Sequence, residues 1–324
     1  MREATSTVLA LAAALACAPL PAPAAELTVE AHMPLGAVKG RIDHLAVDVE
    51  GRRLFVAELG NDSVSVVDLR AGKVVHRIEG LAEPQGVGWE PGARTLWIAN
   101  ARDGSVRVFE GANLAPLGRV DLGDDADNVR ISEGRIFVGY GSGAIAIVDK
   151  SSRKVIETLP LSTHPEGFQI APGAGQAFVN LADAGSIAVL DIASHRTLAS
   201  WRTDGVRGNF PLALAPQGEW LVVASRRPAT LLRYSSDGAL RWRAQTCEDA
   251  DDVFIDPRRP LIYVVCGEGL VAVHNAGDGN TLERVKTSPG ARTGLYVPEM
   301  DRLFVAAPTR EREAEILVLK LADK

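Results

Sequence analysis

The chain reads as all-β, a seven-bladed β-propeller closed by an N-terminal strand that completes the last blade. Three observations predict this. A short apolar core recurs seven times along the 324 residues, at steps of 40–44 positions. A period near ~40 with several β-rich runs per unit marks propeller blades. The runs last four to six residues between Gly-, Asn- and Asp-rich turns, and no segment has the apolar spacing of an amphipathic helix. Finally, the seventh unit supplies three strands where a blade needs four, while one strand-like run stands unassigned at the other end of the chain.

That unassigned run is Glu26–Met33. The first unit follows as His44–Asp48, Leu54–Ala57, Ser63–Asp68 and Val74–Ile78, separated by turn-forming Gly, Asn and Asp. The next cores are Leu96-Trp97-Ile98, Ile136-Phe137-Val138 and Ala177-Phe178-Val179. Leu221-Val222-Val223, Ile262-Tyr263-Val264 and Leu303-Phe304-Val305 complete the series. The last unit spans Ala291–Leu321, and Glu26–Met33 is expected to pair into it, because that leaves no open sheet edge at the seam. Gly139-Tyr140-Gly141-Ser142-Gly143 has the look of a phosphate loop but runs into Ala-Ile-Ala-Ile-Val. A phosphate cradle needs a helix N-terminus there, so this is a hairpin turn.

Residues 26–324 therefore read as one propeller domain, expected to be monomeric. Residues 1–25 read as a signal peptide: Arg2, an apolar run from Val8 to Ala18, then small Ala22, Ala24 and Ala25. The run is too short to span a bilayer, so a periplasmic or secreted protein is expected, without a transmembrane segment. A lipid anchor on Cys17, in Ala-Leu-Ala-Cys, is the minor alternative. Two cysteines remain, Cys247 and Cys266. In an oxidising compartment they are a disulfide candidate, and the alternative is two separate small apolar side chains.

Composition fits a globular protein: 46% hydrophobic, 23% charged, net charge −6. It excludes a disordered polyelectrolyte, a collagen-like fibre and a multi-span membrane protein. With 35 Lys and Arg against 41 Asp and Glu, generic nucleic-acid binding is disfavoured.

The segments LFVAELGNDSVSVVDL and LWIANARDGSVRVF resemble the YVTN-type β-propeller repeat, in which a Tyr/Phe-Val strand meets a Ser-Val-Ser-Val-Ile-Asp strand through Gly and Asn. IFVGYGSGAIAIVD, AFVNLADAGSIAVLDI and IYVVCGEGLVAVH are related versions, whereas LVVASRRPATLLRYS and LFVAAPTREREAEILVL lack the Gly-Asn turn. The resemblance implies exported, seven-bladed, largely uncharacterised binding proteins. It supplies no catalytic residue.

In a propeller the innermost strands all begin at one face, so the residues just before them converge on the mouth of the central channel. The repeat places Asp43, Gln85, Asp127, Glu166, Phe210, Asp251 and Arg292 at equivalent positions, flanked by His44, Asn128, Asn209 and Asp252. Asp124, Asp125, Glu248 and Asp249 add acidity, and Arg41, Arg207 and Arg292 oppose it. Three readings are open. Polar residues satisfy backbone groups where strands begin, which makes the ring structural. The rim binds a small molecule, cation or protein partner without turnover. Or it holds calcium or magnesium through Asn128, Glu166, Asn209 and Asp251 for a lactonase-like hydrolase or a lyase, by analogy with six-bladed gluconolactonase and regucalcin propellers. His44 or His164 is then a candidate base, although a rim histidine commonly serves as a hydrogen-bonded loop residue. No cofactor beyond such a cation is indicated, and a scaffold role is the third possibility. Binding is the leading expectation.

Overall fold

A computed structural model describes residues 26–322 except 174, 204, 311 and 312. The expected leader, with Cys17, lies outside the described residues. The described chain forms seven four-stranded antiparallel sheets. Six are built from consecutive strands; the first is Leu45–Asp48, Arg53–Glu58, Ser63–Asp68 and Lys73–Ile78. The first strand of each sheet contacts the first strand of the next, and Leu45–Asp48 meets Thr293–Val297 to close the circle. These seven strands surround the central channel.

The seventh blade joins both ends of the chain. Thr293–Val297, Arg302–Ala307 and Ala314–Leu321 are followed outward by Leu27–Gly36, with Leu27 opposite Leu321 and Met33 opposite Ile316. The closing strand runs three residues past the expected Met33, to Gly36, whose φ of 76° lets the chain turn away. Beyond it, Ala322 N–H donates to Glu26 O.

Within a blade, burial follows strand position. Middle strands such as Thr95–Asn100 and Leu261–Cys266 are buried along their whole length, because neighbouring blades cover both faces. This is why the cores read as continuous apolar runs and not as alternation. Outer strands such as Thr281–Lys286 have no buried residue and are exposed at most positions. The apolar interior is a ring of seven inter-blade seams, each drawn from two adjacent blades. Phe178, Val223 and Tyr234 occupy the seam between blades 4 and 5, and Trp201 stacks on Tyr234 at 6.0 Å. Trp97 is fully buried between blades 2 and 3, and Trp89 stacks on Phe55 at 5.5 Å. Truncating one of these large rings would cost about 3–5 kcal/mol. Tyr140 pairs with Ala144 across the glycine-rich turn, which is a hairpin as expected.

Cys247 and Cys266 are joined, with Cα atoms 5.9 Å apart. The bridge ties the entry of blade 6 to the end of its second strand. No helix among the described residues is long and apolar enough to cross a membrane.

Candidate functional site

The rim is built by one repeated backbone device. In blade 3 Ala126 pairs with Tyr140 and Val129 with Val138, so one extra residue is fitted into the inner strand. The same extra residue enters blade 2 between Pro84 and Val87, blade 5 between Asn209 and Leu212, and blade 6 between Ala250 and Asp252. Blades 1 and 4 do it by hydrogen bonding. Ala57 exchanges bonds with Asp43 and His44 together, and Asn180 with Glu166 and Gly167 together. A bulge breaks the alternation of a strand and re-aims its side chains. Neighbours such as Asp127 and Asn128 therefore both reach the mouth. Gly86 permits the blade 2 bulge to lie against blade 3, since a Cβ there would stand 2.0 Å from Asp127 O.

The result is a cavity of about 280 Å³ at the channel mouth. Nine expected rim residues line it: Asp43, His44, Gln85, Asp127, Asn128, Glu166, Asp251, Asp252 and Arg292. Phe210, Arg41, Asp125 and His164 line it as well. Asn209 does not. Its amide is buried in the seam of blades 4 and 5, donating to Asn180 Oδ1 at 3.1 Å and Ser186 O at 3.0 Å. Asp124, Arg207 and Glu248 also lie outside the lining, and Asp249 supports it from behind through Arg226 and Arg292. Sequence reading missed Arg130 and Arg226. Arg226 is the last but one residue of the second strand of blade 5, where the matching positions elsewhere carry Leu59, Ala101 and Gly141, so no repeat singles it out.

Six carboxylates and four arginines line the cavity, and three of the arginines pair with Asp43 or Asp251. Arg41 donates to Asp43 Oδ2 at 2.9 Å and reaches Gln85 Oε1 at 2.9 Å. Asp251 is held between Arg226 and Arg292, the latter at 3.0 Å. Arg226 also lies 3.9 Å above the Phe210 ring. Arg130 donates to Phe168 O at 3.1 Å and Val129 O at 2.9 Å. Asp252 accepts from Gly294 N at 2.8 Å and faces His44 Nδ1 at 4.0 Å.

Several ionisable groups are displaced. Burial, reinforced by Asp127, raises Glu166 from 4.5 to about 7. Burial raises Asp252 from 3.8 to about 7, with His44 opposing. Pairing with Asp127 raises His164 from 6.5 to about 9 against the cost of burial. Burial works against a charged His44, but Asp43, Asp252 and Asp127 outweigh it and its pKa rises. Burial also resists ionisation of Asp127, and His164, His44 and Arg41 overcome it. Such a concentration of shifted groups in one cavity is typical of functional sites.

Two lining oxygens have no partner. Asp127 Oδ1 and Asn128 Oδ1 are buried without a hydrogen bond. An unpaired buried acceptor costs about 1–3 kcal/mol, so a donor that reached either oxygen would be favoured. The expected cation set of Asn128, Glu166, Asn209 and Asp251 does not fit a metal. Asn209 is outside the cavity, Asp251 is taken by two guanidinium groups, and no cluster of three His, Cys, Asp or Glu among the described residues is disposed to hold an ion.

No family model matches the chain, and no curated protein matches it. Among solved structures it is similar to hydrazine synthase of Kuenenia stuttgartiensis, at 17% identity and a TM-score of 0.78, over 87% of this chain and 96% of that one. It is also similar to a chain of a mitotic checkpoint complex, at 15% identity and a TM-score of 0.80, over 98% of this chain and 99% of that one. Likeness at this identity establishes the propeller fold and nothing about chemistry. The chain is a seven-bladed β-propeller.

Proposed function

We propose that the protein is an exported, YVTN-type propeller that captures a small polar molecule in the rim cavity without turning it over. The observation that carries this reading is the gathering of nine rim residues around one cavity, with two buried acceptors left unpaired. Export is supported by the leader-like composition of residues 1–25 and by the Cys247–Cys266 bridge, which persists in oxidising compartments. A thermal-shift screen of small polar compounds tests the reading. A ligand should raise the melting temperature by mass action and protect the rim strands from hydrogen exchange. Ligands that protect only outer strands would overturn it.

One observation favours a second reading. Glu166 and Asp252 both titrate near 7 in the same cavity, as proton donors or acceptors do in metal-independent lyases and hydrolases. Turnover of a screened ligand, lost in Glu166→Gln with binding retained, would establish it over simple capture.

A further inference from the structure

The cavity lacks one kind of group. Each of its guanidinium groups already has acceptors: Arg41 on Asp43, Arg226 and Arg292 on Asp251, and Arg130 on two backbone carbonyls. The acceptors are not all used. Asp127 is 8% exposed and Asn128 3%, and one side-chain oxygen of each is unpaired. His164 lies 3.8 Å from the other Asp127 oxygen, Oδ2, so it does not satisfy the free one. The Glu166 carboxyl makes no hydrogen bond or ion pair among the described residues.

We infer that the captured molecule is a compact primary ammonium compound, its N–H groups taken by Asp127, Asn128 and Glu166. This rests on the binding reading above and narrows it to a ligand class. An alkylammonium offers three donors and no acceptor, which matches three oxygens in want of donors. Two of the three oxygens belong to carboxyl groups, which make the stronger, charge-assisted bonds when ionised. A hydroxyl offers one donor only. Calcium asks for six to eight oxygens, and the next carboxylates, Asp43 and Asp251, are committed to arginines. Phe210, Pro211 and Leu212 give the same cavity an apolar flank for a short carbon frame, and about 280 Å³ suits a small molecule.

Calorimetry on the mature chain at pH 8 tests the inference with ethanolamine, putrescine, tetramethylammonium, glycerol and calcium chloride as probes. The two primary amines should bind, and tetramethylammonium, which has the charge but no N–H, should bind at least ~10-fold more weakly. Glu166→Gln should weaken the amines ~10-fold, and Asn128→Asp should tighten them, with circular dichroism unchanged in both. Amines that do not bind, or whose affinity ignores both substitutions, overturn the inference. So does glycerol or calcium binding more tightly than the amines. Rim protection by glycerol or calcium in hydrogen exchange leaves the capture reading standing, whereas absence of rim protection by every probe counts against both.

Discussion

Glu166 makes a prediction about pH. Its folded pKa of about 7 lies above its ordinary 4.5, so the folded state holds this proton more tightly than the unfolded chain. The resulting stability is complete below pH ~4.5 and is lost as pH rises through 7. Asp252 adds a loss over the same window, and His164 adds another between 6.5 and about 9. Stability should therefore peak on the acid side of neutrality. Glu166→Gln should flatten the slope between pH 5 and 7 and stabilise the protein at pH 8 by on the order of 1–2 kcal/mol, discounted for partial exposure. Urea midpoints across pH 5–9 measure this, and an unchanged slope would refute the assignment. At this scale the sequence was a partial guide. Asn128 and Asn209 both flank inner-strand starts, yet one lines the cavity and the other is absorbed by Asn180 and Ser186. The deciding neighbours lie one blade away, beyond what a position within a repeat encodes. Arg226 was invisible for the same reason, since its partners Asp249 and Asp251 belong to blade 6.

At the scale of elements, the bulge is the unit that matters. On inner strands it delivers side chains to the mouth, and the close approach at Gly86 depends on the missing Cβ. Gly86→Ala should push Asp127 and Val129 apart from blade 2, destabilise the protein by about 1–3 kcal/mol and weaken capture at the rim. Urea denaturation and calorimetry on the same variant measure both effects. Outer strands carry a second ring of bulges. Val75, Leu117, Ile156, Leu198 and Leu282 are the extra residues in blades 1, 2, 3, 4 and 6, with Arg241 and Glu30 in the other two. Interrupting the outermost ladder discourages edge-to-edge pairing between molecules. The sequence located the strands to within three residues but not the bulges, because strands this short hold too few residues for a break in alternation to stand out.

For the whole molecule, the seam in blade 7 decides cohesion. Leu27–Gly36 covers the edge of Ala314–Leu321, and its Leu27, Met33 and Leu35 are buried in the two seams flanking that blade. Deleting residues 27–36 should remove both, expose a strand edge and shift unfolding to a less cooperative transition. Differential scanning calorimetry should record a midpoint lower by about five to eight degrees, on the order of 3–5 kcal/mol for a closed ring reopened. The ring itself was legible because seven copies of one pattern reinforce each other, and the closing strand because one copy was a strand short. The rim's ion pairing was not legible, since it depends on which arginine meets which carboxylate across blades.

The same seam has a consequence in time. His32 and Glu315 stand 283 positions apart, whereas every other blade closes through hairpins of a few residues. Closing so long a loop costs about 3 kcal/mol more entropy than closing a hairpin, and that cost falls on the last step of assembly. Blades 1 to 6 can form as the chain emerges, but the ring waits for its final strand. Until then the buried edge of Ala314–Leu321 and the apolar face of Leu27–Gly36 are both open to other chains, so the interval before closure is when the protein is most exposed to misassembly.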